Sequence, residues 1–356
     1  MHGLKRGFAS IGAATVVAAS LIGSGAAMAQ SPAADDIVVG VSWNNFNEPR
    51  WAAFDEPAIK DALEAAGAQY ISTDAASSAE QQLADVENLI SQGADALIIL
   101  AQDGTAIQPA VQSAVDAGIP VVAYDRLIRN DGTLYLSFDN KGVGRIMAET
   151  IFPLVPKGNY AIIKGNQADA NADFLRAGME EVIGAAVAAG DIVIPEGCET
   201  YTDNWDPANA QTNMENCLVA AGNDIQAVLA ENDGMAGGVI AALAGQGLAI
   251  PVSGQDGDPG ALNRVALGTQ TVSVWKDSSQ LGKAAGEAAV ALAMGTALAD
   301  LPGTAPFVDG DLTLTSMILT PTPVTQENLQ VVVDGGVLTQ EALCQGVTAG
   351  SVTACP

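Results

Sequence analysis

The sequence predicts an α/β protein made of two doubly wound lobes, each built on a parallel sheet. Short apolar runs rich in β-branched residues alternate with segments of helical spacing, which is typical of parallel strands joined by crossover helices. This alternation occurs twice along the 356 residues, enough chain for two lobes of ordinary size. No low-complexity linker separates the two sets, so we expect strands that cross directly between the lobes and act as a hinge.

The first set of elements contains five predicted strands, each a short apolar run. They are residues 37–43 (IVVGVSW), 69–74, 95–101, 119–125 and 134–139. The segments between the first four strands have helical spacing. These predicted helices cover residues 49–66, 79–93 and 106–118, and each ends at or beside a glycine, the residue that most often terminates a helix.

The second set repeats the pattern after Asp139. Its predicted strands are residues 159–165, 191–202, 225–231, 250–256 and 269–275, with helices including 171–189 and 207–221. The last long helix is predicted at 278–294, and the tail from Gly303 as a strand pair plus a short terminal helix. We therefore divide the chain into an export signal (1–29), a first lobe (36–140 plus 278–308) and a second lobe (141–277 plus 309–356).

The N-terminal residues have the pattern of a secretory signal. Lys5 and Arg6 precede an apolar run from about Phe8 to Ile22, and Ala27-Met28-Ala29 is a small-x-small cleavage pattern. The run is too short to span a membrane as a helix. We expect residues 1–29 to be removed on export to the periplasm; an uncleaved N-terminal anchor is the alternative.

The mature chain is strongly acidic. After loss of Lys5 and Arg6 it keeps 12 of the 14 basic residues against 41 acidic ones, a formal charge of −29. Such a surface is repelled by nucleic acid and by anionic lipid. The charge therefore favours a neutral or cationic small ligand over a nucleic-acid partner; a ligand of any charge is the alternative if the site is locally compensated.

Cysteine and histidine usage narrows the chemistry further. Four cysteines in an exported chain suggest disulfides, and among three connectivities we favour Cys198–Cys217 and Cys344–Cys355. The single histidine, His2, lies inside the predicted signal. Histidine-based metal sites, Ser-His-Asp triads and histidine general bases are thus excluded from the mature chain, and we expect neither a metal nor a cofactor.

Polar side chains collect directly after the predicted strands, where ligands of open parallel sheets bind. The stretch VVAYDRLIRN (121–130) is an example, because Asp125 and Arg126 end a strand that is otherwise buried. A structural ion pair is the alternative for these two residues. The same feature recurs at the other strand ends, in the residues Asn44, Asn45, Glu48, Arg50, Trp51, Asn166, Asp169, Asn171, Asp203, Asn204, Trp205, Asn232, Asp233, Gln255, Asp256, Trp275 and Lys276.

This mixture of groups suits a neutral polyhydroxyl ligand. A sugar hydroxyl donates one hydrogen bond and accepts two, and bonds to charged groups are roughly twice as strong as neutral ones. The cations Arg50, Arg126 and Lys276 nearly balance the anions Asp125 and Asp256.

Aromatic and capping residues complete the predicted site. Trp51 and Trp205 could cover the faces of a sugar ring, with core packing as the alternative for each. At Asn232-Asp233 we assign Asp233 to the cap of the following helix and Asn232 to the ligand. Asp139-Asn140 is predicted to cap the helix that follows it.

The chain resembles the periplasmic sugar-binding proteins of ABC importers, in the ribose/galactose-binding class. The resemblance runs from about Val38 to Pro321. It is carried by EPRW (48–51), AYDRLI (123–128), SFDN (137–140), FLRAGM (174–179), MENCL (214–218), NDGMAGGVI (232–240), ALAGQGL (242–248), SGQDGD (253–258) and GTQTVSVWK (268–276). The tail with Cys344 and Cys355 has no recognised counterpart in that class.

The resemblance implies a type I periplasmic binding protein architecture, with two lobes that are joined by three crossings and close on a monosaccharide. It implies sugar contacts from Arg50, Trp51, Asp125, Arg126, Asn171, Trp205, Asn232, Asp256 and Lys276. The expected ligand is an aldopyranose, D-xylose ahead of glucose, galactose or arabinose. The expected partners are the membrane subunits of an ABC permease and a chemoreceptor, contacted by a monomer.

Two other functions are less consistent with the residues. Asp125 and Asp256 could act as a glycosidase pair, but their arginine and lysine neighbours should keep both ionised and leave no general acid. No phosphate-binding glycine motif follows the first strand. A transcription regulator with the same sensor fold would carry a DNA-binding segment where this chain has its export signal.

Overall fold

The computed structural model describes residues 1–3 and 36–356. The predicted signal at 1–29 therefore lies almost wholly outside the described residues. In the described part of the chain, no helix combines the length and apolarity that a membrane crossing requires. Residues 36–356 form a single compact unit.

A seven-stranded sheet forms the first lobe. Its strands along the chain are β1 (Val38–Trp43), β2 (Gln69–Asp74), β3 (Ala96–Ile99), β4 (Val121–Tyr124), β5 (Thr133–Phe138), β12 (Ala305–Asp309) and β13 (Leu312–Leu319), in the spatial order β12-β13-β5-β4-β3-β1-β2. All pairs are parallel except the β12–β13 hairpin. Its helices are α1 (Glu56–Ala66), α2 (Ala79–Ser91), α3 (Gln108–Asp116) and α9 (Ser278–Ala293).

The second lobe has its own strands and helices. They are β6 (Gly158–Lys164), β7 (Ile192–Val193), β8 (Glu199–Tyr201), β9 (Ala227–Ala230), β10 (Ser253–Asp256), β11 (Val272–Trp275) and β14 (Thr322–Val324). β6 pairs with β7, β8 and β9, while β11 lies between β10 and β14. A bridge between Val228 and Val252 connects the two groups. The helices are α4 (Asn140–Ile151), α5 (Ala170–Ala188), α6 (Pro207–Ala220), α7 (Asp233–Gly245), α8 (Pro259–Leu267), α10 (Gln330–Asp334) and α11 (Gln340–Leu343).

The chain passes between the two sheets three times. The crossings lie between β5 and α4, between β11 and α9, and between β13 and β14. Each takes only a few residues, so the two lobes are connected by short segments rather than by a tether. This is the doubly wound, two-lobed α/β architecture that the sequence predicts.

Two details differ from the sequence prediction. Residues 191–202 form two short strands, because Pro195 lacks an N–H for pairing and Gly197 turns the chain with φ 80°. The predicted lobe boundary at residue 309 cuts the β12–β13 hairpin, and β13 pairs with β5 in the first sheet. The chain therefore returns to the second lobe only after Leu319.

Two glycines allow the helices α4 and α5 to pack closely against each other. A Cβ on Gly144 of α4 would overlap the carbonyl oxygen of Leu175, and one on Gly178 of α5 would overlap that of Lys141. The two helices therefore pack backbone to backbone. α4 is capped at Asp139, whose side chain accepts a bond from the Gly142 N–H, as the sequence predicts.

The four cysteines form the two favoured disulfides, Cys198–Cys217 and Cys344–Cys355. The first joins the segment before β8 to α6 inside the core of the second lobe, where both cysteines are fully buried. The second closes the C-terminal tail, whose Leu343 and Val352 pack against α8. The tail is therefore part of the second lobe.

Candidate functional site

The carboxyl ends of strands from both lobes face one narrow cavity that is almost filled by its own side chains. Twelve side chains line it: Glu48, Arg50, Trp51, Asp125, Arg126, Asp169, Asn171, Trp205, Asn232, Gln255, Asp256 and Lys276. All nine residues that the resemblance implies are among them. The first lobe supplies the side chains numbered 48–126 and the second lobe those numbered 169–256, while Lys276 lies in a crossing.

Arg50 occupies the centre of this cavity. It immediately precedes a turn of π-helix, Trp51–Asp55, that leads into α1. Its Nη1 lies 3.3 Å from Asp125 Oδ2 and 3.2 Å from Asp256 Oδ1, so one guanidinium contacts both lobes. The guanidinium also stacks on Trp51, 4.2 Å from the ring centroid, a cation–π contact that keeps the ring facing the cavity.

Arg126 makes a second connection between the lobes. Its Nε is 3.0 Å from Asp169 Oδ2 in the second lobe, and its Nη2 is 2.9 Å from Glu48 Oε1 in the first. Its Nη1 donates to the carbonyl oxygen of Ala101 at 3.2 Å. Because all three nitrogens have partners, the side chain is held in one orientation.

Asp125 and Asp256 take equivalent places in the two lobes, directly after β4 and at the end of β10. Both have left-handed backbone conformations, with φ of 60° and 101°, which non-glycine residues rarely adopt. Such strain concentrates at functional sites. Lys276 Nζ bridges them, 3.0 Å from Asp256 Oδ1 and 3.8 Å from Asp125 Oδ2.

Asn171 and Trp205 form the wall from the second lobe. Asn171 Nδ2 donates to the carbonyl oxygen of Asp125 at 3.2 Å, and its Oδ1 accepts from Asn140 at 2.9 Å. Trp205 donates its indole N–H to Asp169 Oδ2 at 3.2 Å. Its ring lies against Gly165, where any side chain would overlap it.

The assignment of the cap at Asn232-Asp233 was wrong. Asn232 is the cap of α7, since its Oδ1 accepts from the Met235 N–H at 2.8 Å, and it also lines the cavity. Asp233 is fully buried and accepts bonds from the Gly257 N–H and the Ser273 hydroxyl. Both residues could cap by type, and only the backbone position of the first helical turn separates them.

Glu48 and Asp169 add two carboxyl groups to the cavity, so four acidic side chains there face three basic ones. Burial raises the pKa of Glu48 to about 7, against the opposing effect of Arg126. Burial also raises the pKa of Asp169, again opposed by Arg126. For Asp125 the effect of burial is outweighed by Lys276, Arg50 and Arg126, which lower its pKa and keep it ionised.

Two polar atoms of the cavity lack both a hydrogen-bond and an ion-pair partner within the described chain. They are Trp51 Nε1 in the first lobe and Gln255 Oε1 in the second. Buried polar groups in folded proteins are nearly always hydrogen-bonded. Unpaired donors and acceptors from both lobes that share one cavity are therefore what a polar ligand between the lobes would satisfy.

Some cavity residues were not among the implied contacts. Glu48 and Asp169 follow strands and Gln255 lies near the end of β10, so their position along the chain was the available signal, although they were not assigned to the ligand. Trp275 is the last residue of β11, but its ring packs against Gly257 and Gly335 and lines a separate cleft.

Comparison with known proteins places the chain among binding proteins. Residues 39–297 match the family described as periplasmic binding protein domain. The D-xylose-binding periplasmic protein of Escherichia coli (strain K12) is 36% identical over 307 residues, covering 85% of this chain and 91% of that protein. The multiple sugar-binding periplasmic receptor of Rhizobium radiobacter is 33% identical over 347 residues, covering 90% and 96%.

A solved structure agrees with these relatives. The ABC transporter solute-binding protein of Clostridium phytofermentans, with bound β-D-glucose, superposes with a TM-score of 0.78 at 28% identity. The match covers 86% of this chain and 99% of that one.

Proposed function

The chain belongs to the periplasmic binding protein family, and on that premise we propose that it is the sugar receptor of an ABC importer. Like its relatives, it is a substrate-binding protein and not an enzyme. The ligand is an aldopyranose held between the lobes, and D-xylose is the first candidate because the Escherichia coli relative is a D-xylose-binding protein. The closed, loaded form is delivered to the membrane subunits of the permease.

The observation that carries this proposal is the convergence of twelve polar and aromatic side chains from both lobes on one cavity. Guanidinium, carboxylate and amide groups can donate and accept the hydrogen bonds of a ring of hydroxyls. The indoles of Trp51 and Trp205 supply apolar surface beside them. A ligand that contacts both lobes binds the closed form better and so shifts the hinge equilibrium toward closure.

The site residues act in three groups. Arg50, Arg126 and Lys276 donate to sugar oxygens, Asp125 and Asp256 accept from sugar hydroxyls, and the amide groups of Asn171 and Asn232 do either. Their mutual ion pairs hold these side chains in place, and the sugar exchanges part of those bonds for its own. Residues 36–140 and 141–277 supply most of the two lobes, and residues 1–29 direct export to the periplasm.

Calorimetric titration with D-xylose, glucose, galactose, arabinose and ribose tests the proposal. We expect a micromolar dissociation constant for D-xylose, roughly −8 kcal/mol. Failure to bind any of these aldoses would contradict a sugar receptor. Intact mass of the protein recovered from a periplasmic fraction checks whether residues 1–29 have been removed.

A broader aldose receptor is the second candidate, favoured by the similarity to a multiple sugar-binding receptor and to a glucose-bound protein. Such a receptor would serve a chemoreceptor as well as a permease. Dissociation constants for glucose, galactose and arabinose within about tenfold of that for D-xylose, about 1.4 kcal/mol, would favour it. A larger gap would favour the narrower function.

A further inference from the structure

Two residues outside the cavity form a chain of hydrogen bonds that ends on Arg50 inside it. Asp55 and Tyr124 are fully buried and line no part of the cavity, yet both lie directly behind Arg50. Asp55 accepts two bonds from the Arg50 guanidinium, from Nε at 3.1 Å and from Nη2 at 2.8 Å. Tyr124 donates its hydroxyl to Asp55 Oδ1 at 2.6 Å.

The guanidinium is thereby divided into two edges. Nε and Nη2 point away from the cavity to Asp55, while Nη1 points into it between Asp125 and Asp256. The π-helical turn makes this possible. Residues five apart lie on different faces of an α-helix with about 3.6 residues per turn, whereas the wider i→i+5 turn brings Arg50 and Asp55 to one side.

The arrangement fixes a side chain that would otherwise have many rotamers. A free arginine loses substantial rotamer entropy when it binds a ligand, and a group held in its bound orientation beforehand avoids that loss. Tyr124 is in turn held by its ring, which packs edge-on against Trp43 with centroids 6.2 Å apart.

We propose that Asp55 and Tyr124 are positioning residues for sugar binding, which keep Nη1 of Arg50 directed at the ligand. The inference rests on the proposed function, since it assigns the arginine edge that a sugar oxygen meets. It extends the site to a chain of contacts, Tyr124–Asp55–Arg50, of which only the last member touches the sugar.

Calorimetric titration with D-xylose of Tyr124→Phe, alone and in an Arg50→Lys background, tests the inference. Tyr124→Phe should weaken D-xylose binding about tenfold, because Asp55 loses a donor that orients it. In the Arg50→Lys background, where the ammonium cannot bond Asp55 through two nitrogens, the same change should alter affinity less than twofold. Asp55→Asn is the second variant, with an expected loss of at least about thirtyfold.

Tyr160→Phe is the matched control. It removes the hydroxyl of a fully buried tyrosine that donates to the carbonyl oxygen of Val155 at 2.6 Å in the second lobe, away from the cavity. Its D-xylose affinity should stay within twofold of the unsubstituted protein. An equal loss from Tyr124→Phe in both backgrounds, or no loss in either, would overturn the inference. Absence of any aldose binding by the unsubstituted protein would instead overturn the proposed function, and the inference with it.

Discussion

At the scale of single residues, Arg126 is one of two arginines that connect the lobes. Its guanidinium bonds Asp169 in one lobe and Glu48 in the other. Arg126→Lys keeps the charge but loses the forked set of N–H donors that bonds both carboxylates. We therefore expect sugar affinity to fall by about 2 kcal/mol, roughly thirtyfold. Arg129→Lys, at a half-exposed arginine paired with Asp309 and Asp311, is the control and should bind as the unsubstituted protein does. Calorimetry of the two variants checks the prediction, which an equal loss in both would contradict.

Glu48 should make stability depend on pH. Its pKa in the folded protein is about 7, above the ordinary value of 4.5, so the folded state keeps a proton that the unfolded chain releases between these values. The free energy of unfolding should therefore fall as pH rises through this window, by up to roughly 3 kcal/mol from this group. Glu48→Gln should lose that part of the slope. Part of the slope remains in the variant, because burial raises the pKa of Asp233 as well.

Urea unfolding at pH 5 and at pH 7.5 measures this effect. The difference between the two conditions should be smaller in Glu48→Gln than in the unsubstituted protein. Glu87→Gln, at an exposed carboxyl of α2, is the control and should keep the full difference. Parallel behaviour of all three proteins would contradict the assignment to Glu48.

There is a physical reason why the sequence did not identify Asp55 as part of the site. Arg50 and Asp125 follow strands, and a polar group after a strand has an evident place at the sheet edge. Asp55 follows no strand, and five residues separate it from Arg50, a spacing that indicates no contact on an α-helix. Only the π-helical turn brings them together, and no residue pattern in 51–55 predicts that turn.

Among the elements, α4 and α5 pack too closely to accept an added methyl group at their contact. A Cβ at Gly178 would overlap the carbonyl oxygen of Lys141 on α4. Gly178→Ala should therefore lower the free energy of unfolding by about 3 kcal/mol, because packed backbones cannot move apart without opening the core.

Gly184→Ala is a control within the same helix. A Cβ there would meet the flexible end of the Glu180 side chain, which can move aside. It should raise stability by up to about 1 kcal/mol, the usual gain of alanine over glycine in a helix. Urea unfolding of both variants is the measurement, and equal effects would contradict close packing as the cause.

Elements could be predicted where the apolar pattern is long and uninterrupted. β6 and α5 lie within one or two residues of their expected bounds. The segment 191–202 was expected to be one strand, but Pro195 and Gly197 interrupt it. The β12–β13 hairpin was expected as a strand pair, yet its place beside β5 depends on tertiary pairing that local pattern does not contain.

At the scale of the whole molecule, a hydrogen bond outside the set of implied sugar-binding residues also connects the two lobes. Gln102 Nε2 in the first lobe donates to Asn204 Oδ1 in the second at 2.8 Å. Gln102→Ala should weaken sugar binding about fivefold, near 1 kcal/mol, because the closed form loses a bond while the sugar loses none. The dissociation rate, measured by stopped flow, should rise by a similar factor.

Gln112→Ala provides the comparison. Gln112 accepts a bond from Asn130 within the first lobe only, at 2.9 Å. Its removal should leave the dissociation rate unchanged. A slower rate in Gln102→Ala, or an equal change in both variants, would contradict a role for Gln102 in closure.

The placement of tryptophans has a practical consequence for the whole protein. Of the four in the chain, Trp51 and Trp205 line the cavity, and Trp43 lies 6.4 Å from Trp51 between ring centroids. Indole emission changes when nearby charges and solvent are rearranged. Here the nearby charges are the cavity side chains that a bound sugar would contact. The receptor thus contains its own optical reporter, and its occupancy can be followed by ultraviolet fluorescence without any attached dye.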